Sequence, residues 1–188
     1  MEHEIKLIVM GGSWGGIQAS LTILKHLPDD YSIPIILVLH RLRNFESELH
    51  GIYSRKIALK VKEVDEKEFI RGGYVYIAPA NYHVLIEKEG SFSLDCSELE
   101  NYSRPSIDVT FTSAALAFGK NVAGILLSGA SKDGSMGLKS IVDNGGIAVV
   151  QHPEEAEVAT MPLSAIQLVP QCRICDLNSI QNFLFSLQ

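Results

Sequence analysis

The sequence predicts an α/β fold: a doubly wound, mostly parallel sheet with helices on both faces and an antiparallel hairpin at one edge. Three observations predict it. Four short runs of β-branched and aliphatic residues are each closed by glycine or polar residues. Segments with helical spacing of apolar residues alternate with those runs. One central stretch carries strand-like runs with no helix between them.

In chain order, Ile5–Met10 reads as the first buried strand and ends at Gly11-Gly12. Residues Ile17–Leu27 place Ala19, Ile23 and Leu27 on one helical face and stop at Pro28. Ile33–Leu39 is the second strand, and Phe45–Ile57 the second helix. Tyr74–Pro79, Val84–Glu87 and Ser91–Asp95 follow as short strands punctuated by turns, which predicts the antiparallel hairpin. Ile107–Phe118 opens as a helix after Arg104-Pro105-Ser106, Val122–Leu127 is a strand, and Asp133–Asn144 is a helix stopped by Gly145-Gly146. Ile147–Val150 is the fourth strand, 172–175 reads as a late one, and Ser179–Leu187 has helical periodicity.

The bulk numbers narrow the function. The 188 residues suffice for one compact domain, and a single domain over 1–188 is the expectation, since no repeat, linker or composition shift interrupts the chain. With 46% hydrophobic and 20% charged residues the chain has globular composition. A net charge of -6 argues against nucleic acid as the main partner. No apolar run reaches the ~18 residues of a membrane span, and the start, Met-Glu-His-Glu, is unlike a signal peptide. The 3 cysteines form no disulfide framework, so the expected setting is the cytoplasm.

Gly11-Gly12-Ser13-Trp14-Gly15-Gly16 sits between the first strand and the first helix. It fits Gly-x-Ser-x-Gly, a nucleophile elbow, in the strand–turn–helix setting that motif needs. The tight turn exposes the Ser13 hydroxyl, and the following helix points free N–H groups at the same spot, with the Trp14 N–H as an oxyanion donor. The alternative is a glycine-rich turn that shapes the chain or cradles phosphate. The dinucleotide spacing fails at Ser13, and the phosphate-loop lysine is missing.

A serine nucleophile needs a base and the base an orienting acid. His40 closes the second strand, and Asp133 lies in the loop after the strand Val122–Leu127, both at the carboxyl edge. Each has an ordinary reading too: a strand-end histidine bonded to a loop, and an acid in a helix's first turn. His152 follows a strand as well, and the order Ser13, Asp133, His152 matches the α/β-hydrolase order. Spacing alone leaves both histidines open.

At these residues the chain resembles the catalytic domain of CheB, the chemotaxis protein-glutamate methylesterase. Six separated motifs carry the resemblance across nearly the whole chain. They are the Gly11–Gly16 turn, Leu39-His40, Tyr76-Ile77-Ala78-Pro79 and Arg104-Pro105-Ser106-Ile107-Asp108-Val109. The last two are Leu126-Leu127-Ser128-Gly129 with Lys132-Asp133-Gly134, and Ala159-Thr160-Met161-Pro162. The resemblance implies a triad of Ser13, His40 and Asp133. It implies hydrolysis of glutamate methyl esters on chemoreceptors with release of methanol, and deamidation of particular receptor glutamines. No metal or organic cofactor is expected.

The departures matter. The family usually carries an amino-terminal receiver domain, whereas here the first strand starts at Ile5; if this numbering is the full protein, the expectation is regulation that is absent or supplied by a separate receiver or regulatory protein. Trp14 stands where many relatives have threonine, and Gly129-Ala130-Ser131 where a Gly-Met-Gly loop is usual. Trp14 and the Ala130 N–H are therefore the oxyanion or substrate-binding candidates. Arg104 belongs either at the mouth, drawing in an acidic receptor helix, or in bracing a loop; Arg41 and Arg43 are weighed between the mouth and solvated surface charge. Cys172 and Cys175 are expected to be ordinary cysteines, since no second ligand pair accompanies them, and Cys96 has no partner signal. The rival readings are a related hydrolase acting on another ester or amide, and a non-catalytic regulatory module of the same fold.

Overall fold

The computed structural model describes residues 4–40 and 48–188. Seven parallel strands form the central sheet: β1 (Leu7–Gly12), β2 (Ile35–Leu39), β3 (Lys60–Glu63), β4 (Tyr74–Ile77), β7 (Val122–Leu126), β8 (Ile147–Gln151) and β9 (Arg173–Cys175). Their order is β3-β4-β2-β1-β7-β8-β9. The chain winds outward from β1 through β2 to one margin, then returns to β1's other side with β7. Loops leaving β1, β2 and β7 thus meet at the carboxyl edge around the topological switch, where doubly wound sheets build their sites. The central strands β1, β2 and β7 are wholly buried because their side chains face one or other of two cores. Ile8 and Met10 join the core under α1 (Gly16–Leu24), α2 (Leu49–Ser54) and α6 (Leu177–Phe185). Leu7 and Val9 join the other, under α3 (Ile107–Phe118), α4 (Ser135–Asp143) and α5 (Thr160–Leu168).

The antiparallel pair is present, but as a ribbon of its own. β5 (His83–Ile86) and β6 (Phe92–Asp95) pair with each other in a two-stranded sheet of their own and pack Val84, Ile86 and Phe92 into the core that α3 covers, rather than extending the seven-stranded sheet. Tyr74–Ile77, read with that hairpin, instead lies parallel between β2 and β3. Its Val75, Tyr76 and Ile77 are fully buried, a requirement of an interior parallel strand. The edge strand β3 has no counterpart among the apolar runs, because Lys60, Lys62 and Glu63 leave Val61 as its one apolar residue. The helix α5 was missed because Pro162 falls inside it, though in the first turn, where proline costs no hydrogen bond. Of the helix expected over Phe45–Ile57, Leu49–Ser54 is helical, and residues 45–47 lie outside the described residues.

The helix expected from Asp133 starts two residues later. Gly134 takes φ 98° at its N-cap, a left-handed turn that frees Asp133 from the helix. Helices α3 and α4 then pack so closely that Gly137 leaves no room for a side chain: a Cβ there would meet Phe111 Cβ at 2.5 Å and the Asp108 backbone at 3.1 Å. Gly137→Ala should therefore destabilise the protein by about 1–3 kcal/mol, despite alanine's better helix propensity. A lower urea midpoint at unchanged m-value checks this.

Candidate active site

The turn after β1 is held at both ends. Ser13 donates its N–H to Ser128 O at 2.9 Å, and Gly16 donates back to Ser13 O at 2.9 Å. Gly15 completes the bend at φ 79°, a conformation that side chains disfavour. A Cβ on Gly129 would sit 2.9 Å from Ser13 Cβ and 2.7 Å from Met161 Cε, so the serine, the 128–129 loop and the start of α5 are in close contact.

His40 arrives by register. Gly12 of β1 lies opposite Leu39 of β2, and His40 donates its N–H to Gly12 O at 3.1 Å. Ser13 and His40 therefore leave neighbouring strands side by side. The His40 Nε2 meets Asp133 Oδ2 at 2.8 Å, with side-chain exposures of 13% and 0%. A carboxylate can only accept, so Nε2–H donates and Nδ1 carries the lone pair. Ser103 donates its hydroxyl to that Nδ1 at 3.3 Å. His152, the rival, lies on the β8 side; its N–H goes to Cys175 O, and its Nδ1 accepts from Glu154 N.

Asp133 lies against the N-terminus of α3. Its Oδ2 accepts from Ile107 N at 2.7 Å, and its Oδ1 from Asp108 N at 3.1 Å, Ser106 Oγ at 2.9 Å and Asn101 Nδ2 at 3.2 Å. Burial alone would raise its pKa. The bonds from His40, Ile107 and Asp108 outweigh burial and hold the carboxyl below its usual range. Asp108 repeats the arrangement in the other direction. Its Oδ1 accepts from Gly134 N at 2.9 Å and Gly137 N at 2.7 Å, capping α4, whose own N-cap glycine has no side chain. Burial first, and then the nearby Asp133 charge, push the Asp108 carboxyl up to about 6. Asn101, in a left-handed conformation at φ 50°, donates one amide to both carboxylates.

A cavity of about 560 Å³ opens beside the serine, lined by Ser13, Trp14, Ile17, Gln18, His40 and Glu157. Trp14 is 68% exposed and donates its indole N–H to Glu157 Oε1 at 2.7 Å. The backbone N–H groups of Trp14 and Ala130 have no acceptor among the described residues. Arg104 does not line this cavity; its guanidinium donates to the carbonyls of Cys96 and Ser97 and braces that loop. Arg41 and Arg43 lie outside the described residues. A second hollow of about 490 Å³ lies behind Asn101 and Asp108, with no histidine in its lining. Cys172 and Cys175 are free, and burial raises both thiols. No group of metal-binding side chains occurs among the described residues.

Sequence reasoning did not single out Ser103, Asn101 or Glu157. No local signal marked them: Ser103 and Glu157 meet partners more than 60 residues away, and Asn101 reaches Asp133, 32 residues on, as well as the nearer Asp108. Ser106 and Asp108 stood in a quoted motif, and Ser106 before an apolar helix is a legible N-cap.

Fold and site together define a doubly wound α/β domain with a serine, an imidazole and a buried carboxylate at the sheet's carboxyl edge. The match to known proteins is specific. Residues 8–184 match the family model described as CheB methylesterase. The chain is 45% identical over 180 residues to a Leptospira interrogans protein provisionally named protein-glutamate methylesterase/protein-glutamine glutaminase, covering 96% of this chain and 93% of that one. It is 36% identical to a protein-glutamate methylesterase/protein-glutamine glutaminase of Carboxydothermus hydrogenoformans, over 93% of this chain and 53% of that one, so it spans about half of that relative. The crystal structure of the Thermotoga maritima CheB methylesterase catalytic domain superposes with a TM-score of 0.92 at 30% identity, covering 98% of this chain and 99% of that one. The chain belongs to the CheB methylesterase family.

The two aspartates should separate in a pH titration of stability. Asp108 has a folded pKa raised from the ~4 of an unfolded carboxyl to about 6, so its contribution is full at low pH and lost as pH rises through that window. Asp108→Asn removes the titration. The stability of wild type minus variant should therefore fall between pH ~4 and ~6 in paired urea melts, and a flat difference would refute it.

Proposed function

We propose that the chain is a serine hydrolase that removes methyl esters from glutamate side chains of chemoreceptors, with Ser13 as nucleophile, His40 as base and Asp133 as the orienting acid. The observation that carries the reading is the 2.8 Å bond from His40 to a buried Asp133, next to Ser13 on the neighbouring strand end. The names of the relatives supply the substrate: methylesterase and glutaminase are one acyl transfer with two leaving groups.

Ser13 Oγ attacks the ester carbonyl while its proton passes to His40 Nδ1, the nitrogen that Ser103 contacts at rest. The tetrahedral oxyanion faces the N–H groups of Trp14 and Ala130, the first beside the N-terminus of α1. His40 returns the proton to the departing methoxide, and methanol leaves. Water, deprotonated by the same nitrogen, then attacks the acyl-serine and releases the glutamate carboxylate. Throughout, five donors hold Asp133 as an anion, which stabilises the imidazolium without taking its proton. Among the described residues no helix is long and apolar enough to cross a membrane. A protein substrate reached from the cytoplasm belongs to the same proposal.

Methanol release from a methylated receptor is the direct test. Ser13→Ala should lower it by about 10⁴-fold or more with the melting temperature kept. Asp133→Asn should cost about 10⁴-fold, as the carboxylate that fixes the tautomer is lost. Undiminished release from a folded Ser13→Ala protein would sink the reading.

A further inference from the structure

The Glu157 side chain plays no part in the acyl transfer, yet it stands at the mouth of the site. A Cβ on Gly15 would lie 2.7 Å from Glu157 Cβ and 3.0 Å from its Oε2, so the carboxylate rests over the elbow that presents Ser13. Its place is fixed from both sides. The Trp14 indole N–H donates to Oε1 at 2.7 Å. Val158 donates its N–H to Ser128 Oγ at 2.9 Å, and that hydroxyl donates to Trp14 O at 2.8 Å. Gly129 donates its N–H to Val158 O at 3.0 Å. Among the described lining residues, Glu157 is the one acidic side chain of the cavity.

The substrate's charge changes in this cavity. A methyl ester and water become a carboxylate, methanol and a proton, so the bound side chain goes from neutral to negative. The oxyanion of the transition state is also negative, but it is short-lived and has backbone N–H groups to meet it; the product carboxylate has to depart. We propose that Glu157, anchored by Trp14, is a charge filter of the esterase site, admitting a neutral side-chain ester or amide and turning away the carboxylate. This deepens the methylesterase reading and rests on it. On a receptor helix bearing both esterified and free glutamates, the filter keeps the free ones from occupying the site. A fixed charge lining the same partly solvated cavity gives about a fivefold to tenfold preference that weakens with salt.

Trp14 is the chain's single tryptophan and reports on this cavity by its fluorescence. The test uses the Ser13→Ala chain, so that nothing is turned over, and two short peptides that differ only in γ-methyl glutamate against free glutamate. Binding is followed by fluorescence and calorimetry. The ester peptide should bind about fivefold to tenfold more tightly than the acid peptide, and less so at 0.5 M salt (about a 4 Å screening length). Adding Glu157→Gln, which keeps an acceptor for the indole, should bring the ratio within about twofold, and Glu157→Lys should invert it. A ratio that ignores both substitutions, or equal binding of the two peptides from the start, would overturn the filter. The underlying reading is checked apart from it, by methanol release from the ester peptide with Ser13 intact. Release with an indifferent ratio defeats the filter alone, whereas no release defeats the esterase reading.

Discussion

Two helices on one face of the sheet exchange caps, and the site hangs on that exchange. Asp133, just ahead of α4, satisfies the first N–H groups of α3, while Asp108, in the first turn of α3, satisfies those of α4. Each free helix start carries about half a positive charge and unpaired donors, so each carboxylate finds a ready partner. The result locks two aspartates into a buried space where two negative charges would otherwise repel. Asn101 donates to both, and Gly137 has no side chain so that the helices can approach this closely.

The exchange also favours the anionic form of Asp133, the acid of the proposed triad. Asp133 offers two oxygens and receives five donors, all of which favour the anion over the protonated acid. Asp108 absorbs the electrostatic cost instead, with its carboxyl raised to about 6. His40 inherits an orientation rather than creating one. Its ring is set by Asp133 on one nitrogen and Ser103 on the other, and its backbone by the strand register with Gly12.

Much of this was readable from the chain. Parallel strands announce themselves as continuous apolar runs, and a residue that closes such a run has to emerge at the carboxyl edge, as Ser13 and His40 do. Spacing could not choose between His40 and His152, because that choice depends on strand order, and β2 adjoins β1 whereas β8 lies beyond β7. Tyr74–Ile77 misled for a related reason. A four-residue run gives no clue to its direction, and only the partners on either side make it parallel. Glu157 and Asn101 were invisible because a single polar residue in a loop acquires meaning only from what the fold sets opposite it.

The margins of the sheet have a consequence of a different kind. An open parallel sheet ends in two rows of unpaired peptide groups, an invitation to any passing strand. Here one margin, β9, is only three residues long. The other, β3, alternates Lys60 and Lys62 with Val61 and Glu63, and Lys62 is engaged by both Asp65 and Glu68. A strand arriving at either side would find too few hydrogen bonds or a barrier of charge. The same seven-stranded sheet that supports the site thereby offers a poor template for extension at either margin.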